Sequence, residues 1–258
     1  MSWASRRQAQ YILGIFLVIL FVASIFVYPI ITKAPSCSDG AQNGGEIGVD
    51  CGGPCNKLCT VQVSDPVVLW SRAFPVTGSI YNLAAMIENQ NKASGVMNAT
   101  YEFKVYDTKN KLIGRREGET FIPPNQDLAI FEPRFDAGDN QIHSVSFSFT
   151  SALTWVKRAP TLQTLPVRIG SIVFDKGNDS PTLTASINND SIYDLPGFDV
   201  VAILYDADHN AINVSKTHKD ALTSNSSALL LFTWPNTLAS TPVTEDILTQ
   251  INPFSVSF

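Results

Sequence analysis

The chain divides by its apolar and polar positions into one unbroken apolar run, a short polar stretch and a long region of brief alternating segments. Residues 11–32, YILGIFLVILFVASIFVYPIIT, carry no charged side chain. As a helix rising about 1.5 Å per residue they reach roughly 30 Å, enough to cross a bilayer core. A cleaved secretory signal usually has an apolar region of only ~7–15 residues and a small-x-small cleavage site. This run is longer, and no convincing site follows it. Lipoprotein processing at Cys37 is disfavoured because APSC lacks an aliphatic residue three positions before the cysteine. Arg6 and Arg7 precede the run and only Lys33 follows closely. The positive-inside bias therefore predicts a cytoplasmic tail over 1–10, a transmembrane helix over 11–32, and the rest outside a cell membrane crossed once. A tail of that length has no room for a signalling output domain.

Beyond residue 60, short runs rich in Val, Ile, Phe, Tyr and Thr alternate with turn residues. They predict strands over 66–74, 80–89, 99–107, 111–119, 128–133 and 143–149, separated by clusters such as PPNQD and DAGDN. In YEFKVYD, Tyr101, Phe103 and Val105 share one face, and Glu102 and Lys104 the other, which is the pattern of a half-buried strand. Strands at this spacing read as an antiparallel sandwich. TEDILTQI (244–251) is the one segment outside the apolar run with the makings of a short helix.

The pattern then recurs. Residues 87–113 line up with 186–212, placing Asn89 on Asn188, Val105 on Leu204, Tyr106 on Tyr205 and Asp107 on Asp206. Downstream, LAIFEP answers LLLFTWP and HSVSFSF answers the terminal FSVSF. Two copies of about 95 residues suit two separate domains, expected over 61–155 and 156–258, with WVKRAPTLQTLP (155–166) as the linker. The strand FDVVAILYD, with Phe198, Leu204, Tyr205 and Asp206, resembles the FxLYD-type immunoglobulin-like domain of prokaryotic envelope proteins. Its Phe-to-Leu spacing is longer than the family name implies, and the first copy has Val105 where Leu belongs. The resemblance implies tandem immunoglobulin-like β-sandwiches and very little about activity. Each Tyr-Asp pair is expected to fill the sandwich edge with its ring, to reach backbone with its hydroxyl and to start a turn with its carboxylate.

Between anchor and strands lies CSDGAQNGGEIGVDCGGPCNKLC (37–59), which holds every cysteine of the chain. Outside the cytoplasm, Cys37, Cys51, Cys55 and Cys59 make two disulfides the default, with three pairings open. Structural zinc prefers two close cysteine pairs divided by a longer loop, whereas 13, 3 and 3 residues separate these four. Asp39, Asn43, Glu46 and Asp50 are hard oxygen ligands at short intervals, and the surrounding glycines permit tight turns. Calcium accepts such irregular oxygen shells, although turn-forming Asp and Asn explain the pattern as well. The stretch resembles the C-x-D-G-x-x-N-G-x-E-x-G-x-D-C-G-G-x-C modules of large extracellular proteins. That resemblance implies a disulfide-held, calcium-binding stem over 33–60 without catalytic activity.

A search for catalysis finds little. His143, His209 and His218 fall on a strand, a turn and a loop, with no nucleophile or carboxylate constellation beside them, although the last two could share a hairpin. DADHN (206–210) imitates an EF-hand start, but Ala211 and Thr217 stand where Gly and a bidentate Glu are needed. No phosphate-cradling loop, G-x-S-x-G or H-E-x-x-H appears. A net charge of −5 and an isoelectric point near 5.1 argue against nucleic acid. The basic cluster KNKLIGRR (109–116) reads as one exposed hairpin face. Sequons occur at Asn98, Asn178, Asn213 and Asn225 and matter only in a glycosylating host.

These readings converge on an all-β surface protein, no enzyme, held by one helix and a cysteine-rich stem. Its role would be structural, adhesive or in assembly with other envelope proteins, with exposed edge strands open to strand addition. The alternative is a sensor or solute-binding ectodomain taking a sugar or peptide between the sandwiches. Trp70, Trp155 and Trp234 converging on one groove would favour it.

Overall fold

The structure is a computed structural model describing residues 3–31, 34–158, 167–177 and 180–255. It forms two compact units, Met1–Cys55 and Asn56–Phe258.

The first unit begins with helix α1 (Trp3–Ile31). Within it Arg7–Tyr28 has a mean hydropathy of 2.7, long and apolar enough to cross a membrane. Every side chain described along it is exposed. A helix apolar on all sides needs a lipid or protein environment, because water gives its side chains no face to hide. The hydroxyl of Ser24 donates to the Phe21 carbonyl at 2.7 Å, so the helix satisfies this polar group internally, as a lipid-facing segment must.

The second unit is all β. Its strands are β1 (Val67–Thr77), β2 (Ile80–Glu88), β3 (Ser94–Asp107), β4 (Leu112–Ile122), β5 (Asp127–Asp136), β6 (Ile142–Phe149), β7 (Trp155–Lys157), β8 (Val167–Asp175), β9 (Thr182–Asn189), β10 (Phe198–Tyr205), β11 (Ala211–Lys219), β12 (Ser226–Thr233) and β13 (Thr244–Gln250). The six strands expected in the first copy all form. The segment 244–251 forms strand β13 instead of the expected helix, paired antiparallel with β10 from Thr244↔Tyr205 to Gln250↔Asp199.

Two sandwiches result. In the first, sheet β1-β2-β5 faces sheet β4-β3-β6; in the second, β8-β9-β12 faces β11-β10-β13. The strand orders are the same, so β1 to β6 recur as β8 to β13. The registers correct two details of the sequence alignment. Asn189, not Asn188, occupies the place of Asn89, because Ile87↔Leu128 and Ile187↔Ala228 pair at the same height. The counterpart of HSVSFSF is β13, not the C-terminal FSVSF, whose last three residues lie outside the described ones. The first core holds Leu83, Ile87, Phe103, Val105, Ile130 and Phe147, and the second Leu183, Ile187, Leu204, Leu230, Phe232 and Trp234. Tyr101, Phe103 and Val105 point into the first core together, as their alternation predicts.

A third core joins the sandwiches. Phe74, Ala84, Met86 and Ala129 from the outer face of β1-β2-β5 pack on Val201, Ile203, Tyr205 and Val214 from the outer face of β11-β10-β13. The unit is therefore a stack of four sheets. The segment LAAMI in β2 is buried on both sides, from Leu83 to Ile87, as a sheet covered on both faces requires. The expected linker begins inside the first sandwich: β7 pairs with β3, and Trp155 sits opposite Val96. The end of the expected stem joins there too, with the Leu58 amide donating to the Trp155 carbonyl at 2.9 Å and the Lys157 amide to that of Asn56 at 2.9 Å. Residues 159–166 lie outside the described ones.

Candidate functional site

The cysteine-rich stretch folds into a small cross-linked knot of turns. Cys37 bonds Cys55, with Cα atoms 5.6 Å apart across a sequence separation of 18. Closing a loop of that size stabilises by about 3 kcal/mol in the chain-entropy account. Cys51 and Cys59 are also disulfide-bonded. Gly53, at φ +55°, sits where a Cβ would fall 2.0 Å from the Gly45 carbonyl oxygen, so no other residue fits without moving backbone.

The four oxygen-bearing residues singled out in the sequence meet here and divide into two pairs. Asp50 and Asp39 are committed to backbone. Asp50 Oδ1 accepts from the amides of Asp39 (2.9 Å) and Gly40 (3.1 Å). Asp39 Oδ1 accepts from the Ala41 amide (3.0 Å), and its Oδ2 from the Ser36 amide (3.1 Å) and the Asn43 side-chain amide (3.0 Å). These bonds cap the turns, the role such residues fill in tight loops. The other pair keeps acceptor capacity. Asn43 Oδ1 is a buried atom with no hydrogen-bond donor among the described residues. Glu46 Oε2 accepts from the amides of Asn43 (3.3 Å) and Asp50 (3.2 Å), while its Oε1 lies 3.2 Å from Cys55 Sγ. That sulfur is in a disulfide and has no proton to give. Cys37, Glu46 and Cys55 cluster within 4.8 Å, but the same bond removes the thiolates a soft metal would need.

The two Tyr-Asp corners are built alike. Asp107 Oδ1 accepts from the amides of Lys109 and Lys111, both at 2.8 Å, and Asp206 Oδ1 from those of Asp208 (3.0 Å) and Asn210 (2.8 Å). The fourth turn residue takes a left-handed conformation in both, Asn110 at φ 59° and His209 at φ 60°. The Lys111 amide holds the Asp107 carboxyl below its ordinary range, and the Asn210 amide does the same for Asp206. The hydroxyl of Tyr205 meets the Asp246 carboxylate, not backbone, and burial together with that charge pushes its ionisation up. The His209 ring stacks on Tyr205 with centroids 4.6 Å apart. His218 lies on β11 and not in a loop; its Nδ1 is 2.7 Å from Asp199, which also pairs with Lys216 at 2.8 Å. The basic segment 109–116 forms the exposed β3–β4 hairpin, where Arg115 pairs with Glu102 at 3.0 Å.

The three tryptophans do not converge. Trp70 packs against the inter-sandwich core, edge-on to Phe74, and Trp155 lies in a cluster with Val96 and Ile122. Trp234 lines a cleft of about 360 Å³ where the sandwiches meet, beside Pro75, Asn82, Asn213 and Asn236. Its indole N–H is buried without a hydrogen-bond partner among the described residues.

Sequence reasoning missed the contact between sandwiches. Arg72 crosses it to the Ala211 carbonyl at 3.0 Å, Gln250 to that of Ala129 and Asn236 to that of Val76, and Lys216 sits 5.7 Å above the Phe131 ring. The signal was present as continuous apolar runs, LAAMI in β2 and VVAIL in β10, where a half-exposed strand would alternate.

Comparison with known proteins adds little. No protein-family model matches the chain, and no curated protein does. Among solved structures, the crystal structure of red sea bream transglutaminase aligns with 73% of this chain and 31% of its own, at 11% identity and a TM-score of 0.26. That likeness is too loose to carry an argument.

Proposed function

We propose that the chain is a membrane-anchored cell-surface protein whose tandem sandwiches, of the FxLYD-type immunoglobulin-like class, serve a structural, adhesive or assembly role among envelope proteins. The observation that carries this reading is the join of α1, whose described side chains are exposed and whose span Arg7–Tyr28 is strongly apolar on average, to a stretch whose four cysteines are all oxidised. Disulfides persist in oxidising compartments, which favours a topology with residues 33–258 outside and the arginine-flanked end inside. Among the described residues no strand pairs with the outer edges of β4, β8 and β12, which suits them to strand addition.

A membrane-impermeant thiol label, applied to intact cells after mild reduction, should modify the stem cysteines. Labelling only after the cells are opened would reverse the orientation. Crosslinking in those cells should then recover a defined envelope assembly; recovery of lipid alone would remove the assembly role.

Calcium binding in the stem is a second reading, favoured by the orphaned Asn43 Oδ1 beside the under-used Glu46 Oε1. Asn43 and Glu46 would hold the ion, with Asp39 and Asp50 shaping the loop around it. Calcium takes six to eight oxygens, so water and backbone carbonyls would supply most of the shell. Calorimetric titration of the full chain in detergent should show calcium heat that Asn43→Ala removes; a flat titration would leave the stem as a disulfide knot.

A further inference from the structure

The internal repeat offers a test for the outer faces of the stack. In the first sandwich, the outer face of β1-β2-β5 presents Ala84, Met86, Ala129 and Phe131, and the second sandwich covers it. Pairing registers place Thr184, Ser186, Leu229 and Leu231 at the equivalent positions of the second sandwich, with Val173 beside Thr184. This face is bare. Leu229 is 76% exposed, Val173 61% and Leu231 56%. Their neighbours Leu230 and Phe232 point the other way and are buried, so the leucines are not core residues displaced by a register slip. Alternation would place polar residues here on a wetted sheet.

Continuing the internal packing head to tail would bring this face against the outer face of β4-β3-β6 of another chain. That face is unsuited to it. Glu102, Lys104 and Arg115 stand where the docked sandwich has Val201, Ile203 and Val214, and they are tied together by ion pairs of 2.9 and 3.0 Å. An apolar patch laid on them would strip water from charges and return nothing. The centre of the bare face, by contrast, is self-complementary: Val173, Thr184, Ser186, Leu229 and Leu231 carry no charge, and the charged residues of that face on β8, Arg168 and Asp175, stand at its opposite ends, so a two-fold contact that reverses the strands sets no like charges opposite each other.

We infer that the outer face of β8-β9-β12 is the contact between two copies of this chain, packed sheet on sheet about a two-fold axis. The inference names the partner of the assembly role proposed above, and so rests on it. Eight residues of strand at about 3.3 Å each, by three strands at about 4.8 Å, cover on the order of 400 Å² per copy. That is about half of a standard interface. Association is therefore weak in dilute solution and effective where both copies are held in one membrane, which raises their effective concentration.

The test uses full-length chains labelled at the N-terminus with donor or acceptor dye and reconstituted in phosphatidylcholine vesicles. Energy transfer should rise saturably with the protein-to-lipid ratio above random proximity. The pair Leu229→Glu and Leu231→Glu should weaken association at least tenfold, and Val173→Glu alone should weaken it less, each with an unchanged melting temperature because the sites are exposed. Lys104→Glu, on the far face, should leave transfer unchanged. Wild type that transfers no more than the double variant overturns the proposal and leaves the face to another protein. Loss of transfer in Lys104→Glu overturns it in favour of a head-to-tail stack. Either result leaves the thiol-labelling outcome intact.

Discussion

The two sandwiches share a strand order and differ on their outer faces, most sharply on one. In β3 the outward residues are Glu102 and Lys104, with Arg115 beside them on β4; in β10 and β11 the same positions hold Val201, Ile203 and Val214. Inward, both strands do the same work: Phe103 and Val105 fill one core, Ala202 and Leu204 the other. The difference teaches that the core face specifies the sandwich and the outer face specifies its neighbour. Lys104 and Arg115 neutralise Glu102, whose carboxyl the Lys104 hydrogen bond holds below its ordinary range. That sheet can end the stack in water, whereas the valine and isoleucine face of β10-β11 must be covered.

Exchanging the faces should break this asymmetry most visibly. Ile203 is fully buried, so Ile203→Lys sets an unpaired charge in the inter-sandwich core and should cost at least about 3 kcal/mol. Lys104→Ile, the reciprocal change, removes one of the two cations paired with the buried Glu102 and leaves the other, Arg115, in place, so it should cost less than Ile203→Lys. Chemical denaturation of the full chain in detergent, followed by tryptophan fluorescence, measures both. Equal costs would mean that the two faces are equivalent and that the sandwiches do not stack.

The next contrast lies at the ends of β2 and β9. Asn89 donates to the carbonyls of Ser94 (3.0 Å) and Pro123 (2.7 Å) and accepts from the Asn91 amide (3.0 Å). Asn189 donates to Tyr193 (2.8 Å), Leu222 (3.1 Å) and Thr223 (3.0 Å) and accepts from the Ser191 amide (3.1 Å) and hydroxyl (2.6 Å). Each ties the loop after its strand to a neighbouring segment. Alanine at either position orphans buried backbone groups and should cost about 2–3 kcal/mol, with Asn189 the costlier. Asn188→Ala, in a half-exposed position, should stay within about 0.5 kcal/mol. If Asn188 proved as costly as Asn189, the one-residue correction to the repeat would be wrong.

Legibility followed the environment of each strand. Where one face meets a core and the other meets water, alternation marks the strand, as in YEFKVYD. Where both faces are covered, the alternation is lost. In β13, Ile247 packs into the core of the second sandwich and Leu248 into the contact with the first. Two adjacent apolar residues with a third at 251 imitate a helical stripe, and only the four-sheet stack explains them as a strand. The stem was readable as a set of residues and not as a division of labour. Aspartate as turn cap and asparagine with a spare oxygen look the same in a sequence, since backbone geometry decides which amide points at which oxygen. The interface was legible in retrospect from LAAMI and VVAIL, but a continuous run states that both faces are buried without naming the cover.

The smallest effect, and the finest comparison, concerns the two aspartates at the hairpin corners. Both are held below their ordinary range by turn amides, yet their surroundings differ: Lys111 and Lys109 flank Asp107, while Arg72 of the other sandwich acts on Asp206. Asn at either position keeps the accepting oxygen and removes the charge. A depressed carboxyl contributes stability above its unfolded value, near 3.9, and loses it as pH falls through the lower folded value. Asp107→Asn and Asp206→Asn should therefore both be less stable than wild type at pH 7, and the deficits should close as the solution is acidified below about pH 4. Arg72→Ala should shrink the deficit of Asp206→Asn and leave that of Asp107→Asn alone. A double-mutant cycle with zero coupling between positions 72 and 206 would confine the Asp206 effect to its own turn, leaving the stack to Val201, Ile203 and the apolar residues they meet.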